Sequence, residues 1–178
     1  MTDATVNLHP DPQSDLEALA AEIGSLLKQR GETLTTAESC TGGWVSMTLT
    51  AVAGSSAWFG RGFVTYSNEA KQELLGVSAD VLVNHGAVST ATASGMASGA
   101  QRAASSDWAV SVTGIAGPDG GSADKPVGTV CFGWAGPQGL LQVQRQHFSG
   151  DRRAVRLQSV RHCLRELRGL LQGHAPTA

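Results

Sequence analysis

Metal and disulfide chemistry have little to work with in this sequence. Its three cysteines, Cys40, Cys131 and Cys163, are an odd number, far apart, with no C-x-x-C pair. Neither a zinc site nor a disulfide framework is therefore indicated. Long apolar runs are also missing, and none approaches the ~18 residues that a membrane span requires. The opening MTDATVNLHPDPQ lacks the cationic start and apolar stretch of a secretory leader. The expectation is a cytoplasmic protein that neither enters a membrane nor needs a metal. Excess positive charge is absent as well. A formal charge of -2 argues against a general nucleic-acid binder, which would carry a basic face.

What is present suits one globular domain. The chain has 178 residues, of which 41% are hydrophobic and 16% charged. A chain of this size buries roughly two-thirds of its unfolded surface without needing a staple. The 22 glycines gather in a few loops, where backbone must turn sharply or approach a ligand closely.

Residues 1–13 are polar, carry two prolines and lack periodicity, and read as a loose tail. Ser14 and Glu17 form a capping-box pattern ahead of Leu16, Leu19, Ile23, Leu26 and Leu27, so a helix is expected from Ser14 to Arg30, closed by Gly31. A short strand over 33–37 leads into Glu38-Ser39-Cys40-Thr41-Gly42-Gly43, and a helix follows over 44–52. Alternation over 58–66 predicts a strand, and Ser67 or Asn68 then caps a helix ended by Gly76. A helical turn over 79–83, an alanine-rich helix over 89–105 and a strand over 107–113 come next. Two strands joined by Gly136-Pro137-Gln138-Gly139 span 127–134 and 140–148, before a last helix over 151–171. The result is a single-domain α/β fold over 14–172, with a mixed β-sheet, helices packed on its faces and a second tail at 173–178. The small residues of 89–105 suit close packing, and a homodimer or higher homo-oligomer is one expectation from them.

Four segments carry candidate chemistry. In AESCTGG, Ser39 stands at a strand-to-helix turn, where ligands of α/β sheets tend to bind. Backbone N–H groups near Thr41, Gly42 and Gly43 would face an oxyanion formed by attack of Ser39 on a carbonyl. A plain helix cap is the other reading of Ser39. The usual activating histidine is hard to find, His85 in a turn before Gly86 being the best remaining candidate, and the G-x-S-x-G elbow is absent. YSNEAK offers Lys71 as the base and Tyr66 as a partner, since both lie on the sheet edge expected to hold Ser39. Lys71 would need its pKa lowered by desolvation or a neighbouring cation. The alternative makes Tyr66 a packed aromatic and Lys71 a surface charge. TGIAGPDGG is a glycine loop that can cradle an anion or simply join two strands, and it is no Walker loop. SGDRRAVR sets Arg152 and Arg153 at a helix start, where they form an anion trap or pair with Asp151.

These segments together, with GSSAWFGRGFVTYSNEAKQELLGVS, the GAVS turn and KPVGTV, resemble the nicotinamide-nucleotide amidase family, also known as the CinA C-terminal domain. The resemblance runs from about Leu16 to Leu171. It implies hydrolysis of the carboxamide of nicotinamide mononucleotide to nicotinic acid mononucleotide and ammonia, without a cofactor. It also implies Ser39 as nucleophile with Tyr66 and Lys71 as partners, Thr113 and Gly114 as substrate contacts, and Arg153 as the arginine of the GDR segment. Which of Arg152, Arg153 and Arg156 meets a phosphate stays open. Two rivals stand beside this reading: Cys40 as nucleophile, and a nucleotide-binding or regulatory module without turnover.

Overall fold

The computed structural model describes residues 12–174, so the expected tails at 1–13 and 173–178 fall largely outside the described residues. The elements run α1 (Pro12–Arg30), β1 (Leu34–Glu38), α2 (Trp44–Thr50), β2 (Phe59–Val64), α3 (Asn68–Leu75), α4 (Ala79–His85), α5 (Thr90–Ala104), β3 (Trp108–Gly114), β4 (Thr129–Ala135), β5 (Leu141–His147) and α6 (Arg152–Gly173). Short 3₁₀ turns at Ser55–Ala57 and Pro137–Gly139 complete the order.

The sheet order is β2-β1-β3-β4-β5. β1 pairs in parallel with β2 and β3, while β4 runs antiparallel to both β3 and β5. Helical crossovers produce the parallel half, while the loop over 115–128 and the tight turn at 136–139 produce the two antiparallel pairings, as the two kinds of connection require. Helices cover both faces. On one, Leu16, Ile23 and Leu27 of α1 and Val155, Leu164 and Leu167 of α6 pack on Trp108, Val110, Phe132 and Trp134. On the other, Met96, Ala97 and Ala100 of α5 meet Ala37, Ala109 and Ala135, with Leu75 and Val77 beside them. Burying each large side chain of this kind stabilises the fold by roughly 1.5–3 kcal/mol.

Boundaries depart from the sequence reading where the local signal is ambiguous. α1 begins at Pro12, so Ser14 lies inside its first turn rather than ahead of it. Glu17 instead accepts a bond from the Gln13 side-chain amide at 3.2 Å, one turn back. The strand expected over 58–66 shrinks to Phe59–Val64, an edge strand mostly open to solvent. Of the expected span, Trp58 and Thr65, which flank the strand, are the fully buried residues. The caps at Ser67, Ser78, Ser89 and Asp151 each accept a backbone N–H with their side chains. Within α5, Ala93 and Gly99 are buried, and Gly99 lies against the carbonyl of Leu75.

Candidate active site

Alternation along β1 sets up the site. Successive strand residues point to opposite faces, so Thr36 and Glu38 reach the α2 side while Ala37 packs toward α5. Ser39 follows Glu38 at the carboxyl edge of the sheet and meets α3. Its N–H is held by Val112 O at 2.9 Å, and its own carbonyl accepts Gly42 N at 3.0 Å, closing a tight turn. Gly42 and Gly43 both have positive φ, 61° and 94°, a backbone that residues with a Cβ adopt at a cost.

Lys71 lies one turn into α3 and is 1% exposed. Its Nζ donates to Thr65 O at 2.8 Å, to Ser39 Oγ at 3.3 Å and to Ser67 O at 3.4 Å. Burial lowers its pKa from the ordinary lysine value, and the Glu69 carboxylate opposes part of that shift. A neutral amine has two N–H groups and one lone pair. Two carbonyls take two of its N–H groups, and toward Ser39 Oγ the third position holds a proton in the ammonium or the lone pair in the neutral amine. The arrangement can therefore take a proton from Ser39 and return it without any side chain moving away.

Ser39 is not the cap of α2. That position belongs to Gly43, which supplies no side-chain bond. The helix start is satisfied instead by the Glu38 carboxylate, which accepts Gly43 N and Val45 N at 3.0 Å and Ser46 N at 2.8 Å. This changes the expected oxyanion donors. The N–H of Gly42 is given to Ser39 O and that of Gly43 to Glu38. Neither of these two N–H groups is therefore free to meet an oxyanion. Thr41 Oγ1 is buried and has no hydrogen-bond partner.

Cys40 is buried beside Ser39, and burial pushes its thiol up to about 12, with the Glu38 charge adding to the rise. A thiol so placed stays protonated near neutrality, which removes the advantage a thiolate would have as nucleophile.

The remaining expected residues separate into groups. Tyr66 is 61% exposed, beyond the end of β2, and its hydroxyl accepts Arg152 Nη2 at 2.8 Å. It makes no hydrogen bond to Ser39 or Lys71. Arg152 Nη1 also donates to Gly117 O at 2.8 Å, tying the glycine loop to the same corner. One turn further along α6, Arg156 donates to Thr41 O at 2.6 Å and stacks over Trp44 at 5.4 Å. Arg153 points elsewhere, into a cleft lined by Gln13, Glu17, Trp44, Met47 and Leu157. Asp151 caps α6 through Ala154 N, and no ion pair joins it to these arginines among the described residues. Thr113 is buried at the end of β3, with its hydroxyl on Ala87 O at 2.8 Å, and Gly114 packs against the backbone of β4.

Sequence reasoning missed Glu38 and undervalued Arg152 and Arg156. The signal for the arginines was their four-residue spacing, which puts both on one helix face. Arg152 is also the residue that follows Gly150-Asp151. For Glu38 the signal was an acidic residue just ahead of a helix start, where a carboxylate is favoured.

Residues 16–171 match the CinA C-terminal domain family. The chain belongs to that family. It is 56% identical over 154 residues to the nicotinamide-nucleotide amidohydrolase PncC of Escherichia coli K12, covering 86% of this chain and 93% of that one. Identity to the PncC protein of Enterobacter agglomerans is 60% over 144 residues, covering 81% and 88%. A CinA-like protein of Citrifermentans bemidjiense is 54% identical over 142 residues, 80% of this chain but 34% of its own length. Among solved structures, the competence damage-inducible protein A of Klebsiella pneumoniae superposes with a TM-score of 0.86 at 41% identity, covering 90% and 99%. A competence/damage-inducible protein of Agrobacterium tumefaciens gives 0.86 at 45% identity, covering 89% and 96%. These likenesses extend over the whole α/β domain and agree with its mixed five-stranded sheet.

Proposed function

We propose that this protein is a nicotinamide-nucleotide amidohydrolase that uses Ser39 as nucleophile and Lys71 as its general base and acid. The observation that carries the reading is the buried Lys71 amine, 3.3 Å from Ser39 Oγ at the carboxyl edge of the sheet. The relatives named as amidohydrolases supply the substrate class, a pyridine nucleotide bearing a carboxamide.

Ser39 Oγ attacks the carboxamide carbon while its proton passes to Lys71 Nζ. The carbonyl oxygen becomes an oxyanion against the N–H groups of Cys40 and Thr41. Lys71 then delivers the proton to the amide nitrogen, the C–N bond breaks and ammonia leaves. Water gives a proton to the same amine as it attacks the Ser39 ester. Lys71 returns that proton to Ser39 Oγ as the ester C–O bond breaks, and nicotinic acid mononucleotide leaves and ionises to its carboxylate. Arg152 and Arg156 supply positive charge at the mouth of the site for the phosphate, and Tyr66 holds Arg152 in place. Thr113 and Gly114 form the floor beside Ser39, with Thr113 anchoring the Gly86-Ala87 turn. Arg153 lies on a neighbouring face, which favours Arg152 as the phosphate ligand.

The test is ammonia release from nicotinamide mononucleotide by the purified chain, with and without a chelator. Turnover unaffected by chelation supports the reading. A folded protein that binds the nucleotide in calorimetry yet releases no ammonia would instead be a binding module.

A further inference from the structure

The Glu38 carboxylate has a role that the reaction scheme does not use. It is 1% exposed, and no ion pair to it occurs among the described residues. Every one of its contacts is with a donor. Oε2 accepts Gly43 N and Val45 N, both at 3.0 Å. Oε1 accepts Ser46 N and Ser46 Oγ, both at 2.8 Å. Because the Ser46 hydroxyl proton is spent on Glu38, the Thr36 hydroxyl donates to Ser46 at 2.7 Å. Gly62 of β2 leaves the room for this network, since a Cβ there would lie 2.5 Å from Ser46 Oγ and 2.6 Å from Thr36 Oγ1.

These bonds span the nucleophile. Glu38 immediately precedes Ser39, and its carboxylate grips residues that follow Ser39 by four to seven positions. Glu38 O also accepts Thr65 N at 2.8 Å, and the carbonyl oxygen of the same residue, Thr65 O, is the nearest acceptor of Lys71 at 2.8 Å. One residue thus fixes the turn carrying Ser39 and the segment that aims Lys71. We infer that Glu38 is a positioning residue for the nucleophile, a buried anion that clamps the Ser39 turn to the start of α2. The inference rests on the proposed amidase reading and deepens it.

Glutamine separates charge and acceptor count from size. Its amide has the same shape but one acceptor oxygen and an NH₂ group. Two of the four donors would then face N–H groups, with buried polar atoms left unpaired. Displacement of a reacting group by about 1 Å costs on the order of 100-fold in rate. Glu38→Gln is therefore expected to lower kcat by about that factor with KM for nicotinamide mononucleotide nearly unchanged. Ser46→Ala keeps the carboxylate and three of its four bonds but leaves the buried Thr36 hydroxyl without its acceptor, so its kcat should fall only several-fold while the thermal transition drops below wild type.

A second readout needs no substrate: labelling of Ser39 by a fluorophosphonate, followed by mass spectrometry. The expected rates fall in the order wild type, Ser46→Ala, Glu38→Gln. If wild type labels at Ser39 but releases no ammonia, the amidase reading fails while the order of labelling still judges Glu38. A folded Glu38→Gln that labels at the wild-type rate overturns the inference. Should Glu38→Gln not fold, Ser46→Ala labelling and turning over as fast as wild type overturns it equally.

Discussion

Burial and neighbouring charge act on Lys71 in opposite senses. Desolvation favours the neutral amine, whereas the Glu69 carboxylate favours the ammonium. The net direction is downward from the ordinary 10.5, and the sign has two consequences. Only the neutral amine accepts the Ser39 proton, so kcat/KM should rise with pH along a limb whose midpoint lies below 10.5. Between the folded and unfolded pKa values the unfolded chain binds more protons, so stability should also rise with pH across that window. Lys71→Met should abolish the activity limb and flatten this slope. A limb centred at or above the ordinary lysine value would contradict a desolvated base. At this scale the sequence was legible for residue types and less so for their partners. Ser39 and Lys71 stood out from motif chemistry, and the structure sets them together. Tyr66 was expected at Ser39, but the strand that carries it ends at Val64, so its ring is exposed and its hydroxyl meets Arg152. Glu38 passed unnoticed although its place just ahead of a helix start was a signal, because the sequence alone does not display its burial against four donors.

Helix α5 shows why an element rich in small residues is needed here. Gly95 and Gly99 both face α3 and the segment after it, but at different clearances. A Cβ on Gly95 would make an ordinary contact with Val77 at 3.6 Å, whereas one on Gly99 would overlap the carbonyl oxygen of Leu75, the last residue of α3. Gly95→Ala should therefore stabilise by about 0.5–1 kcal/mol through helix propensity. Gly99→Ala should destabilise by about 1–3 kcal/mol through overpacking, and it should lower activity because α3 carries Lys71. Thermal unfolding with activity assays checks both, and equal effects from the two substitutions would contradict this packing. The elements themselves were mostly readable, because caps such as Ser67, Ser89 and Asp151 and closing glycines such as Gly31 and Gly76 announce their ends. α1 was misjudged at its start, since Ser14 with Glu17 mimics a capping box within a helix already under way. The edge position of β2 was hidden too, because an alternating aromatic segment does not state how many neighbours it pairs with.

At the scale of the whole molecule, every group in the proposed reaction comes from one domain. β1 supplies Glu38 and leads to Ser39, α3 supplies Lys71, and α6 brings Arg152 and Arg156 across the sheet edge to the glycine loop and the Ser39 turn. The matched region makes up 93% of the Escherichia coli relative but 34% of the Citrifermentans protein. The α/β class was legible from alternating helical and strand patterns, and the mixed sheet from the turn at 136–139. The pairing of α6 with the Ser39 turn was not, since residues so distant in sequence meet only through the sheet order. The most direct measurement is kcat/KM for ammonia release from nicotinamide mononucleotide by wild type, Ser39→Ala, Lys71→Ala and Cys40→Ala. Loss of a nucleophile or its base should cost about 10³-fold or more, while Cys40→Ala, which removes a protonated thiol, should stay within several-fold of wild type. Activity that survives in Ser39→Ala and vanishes in Cys40→Ala would contradict the account and make Cys40 the nucleophile.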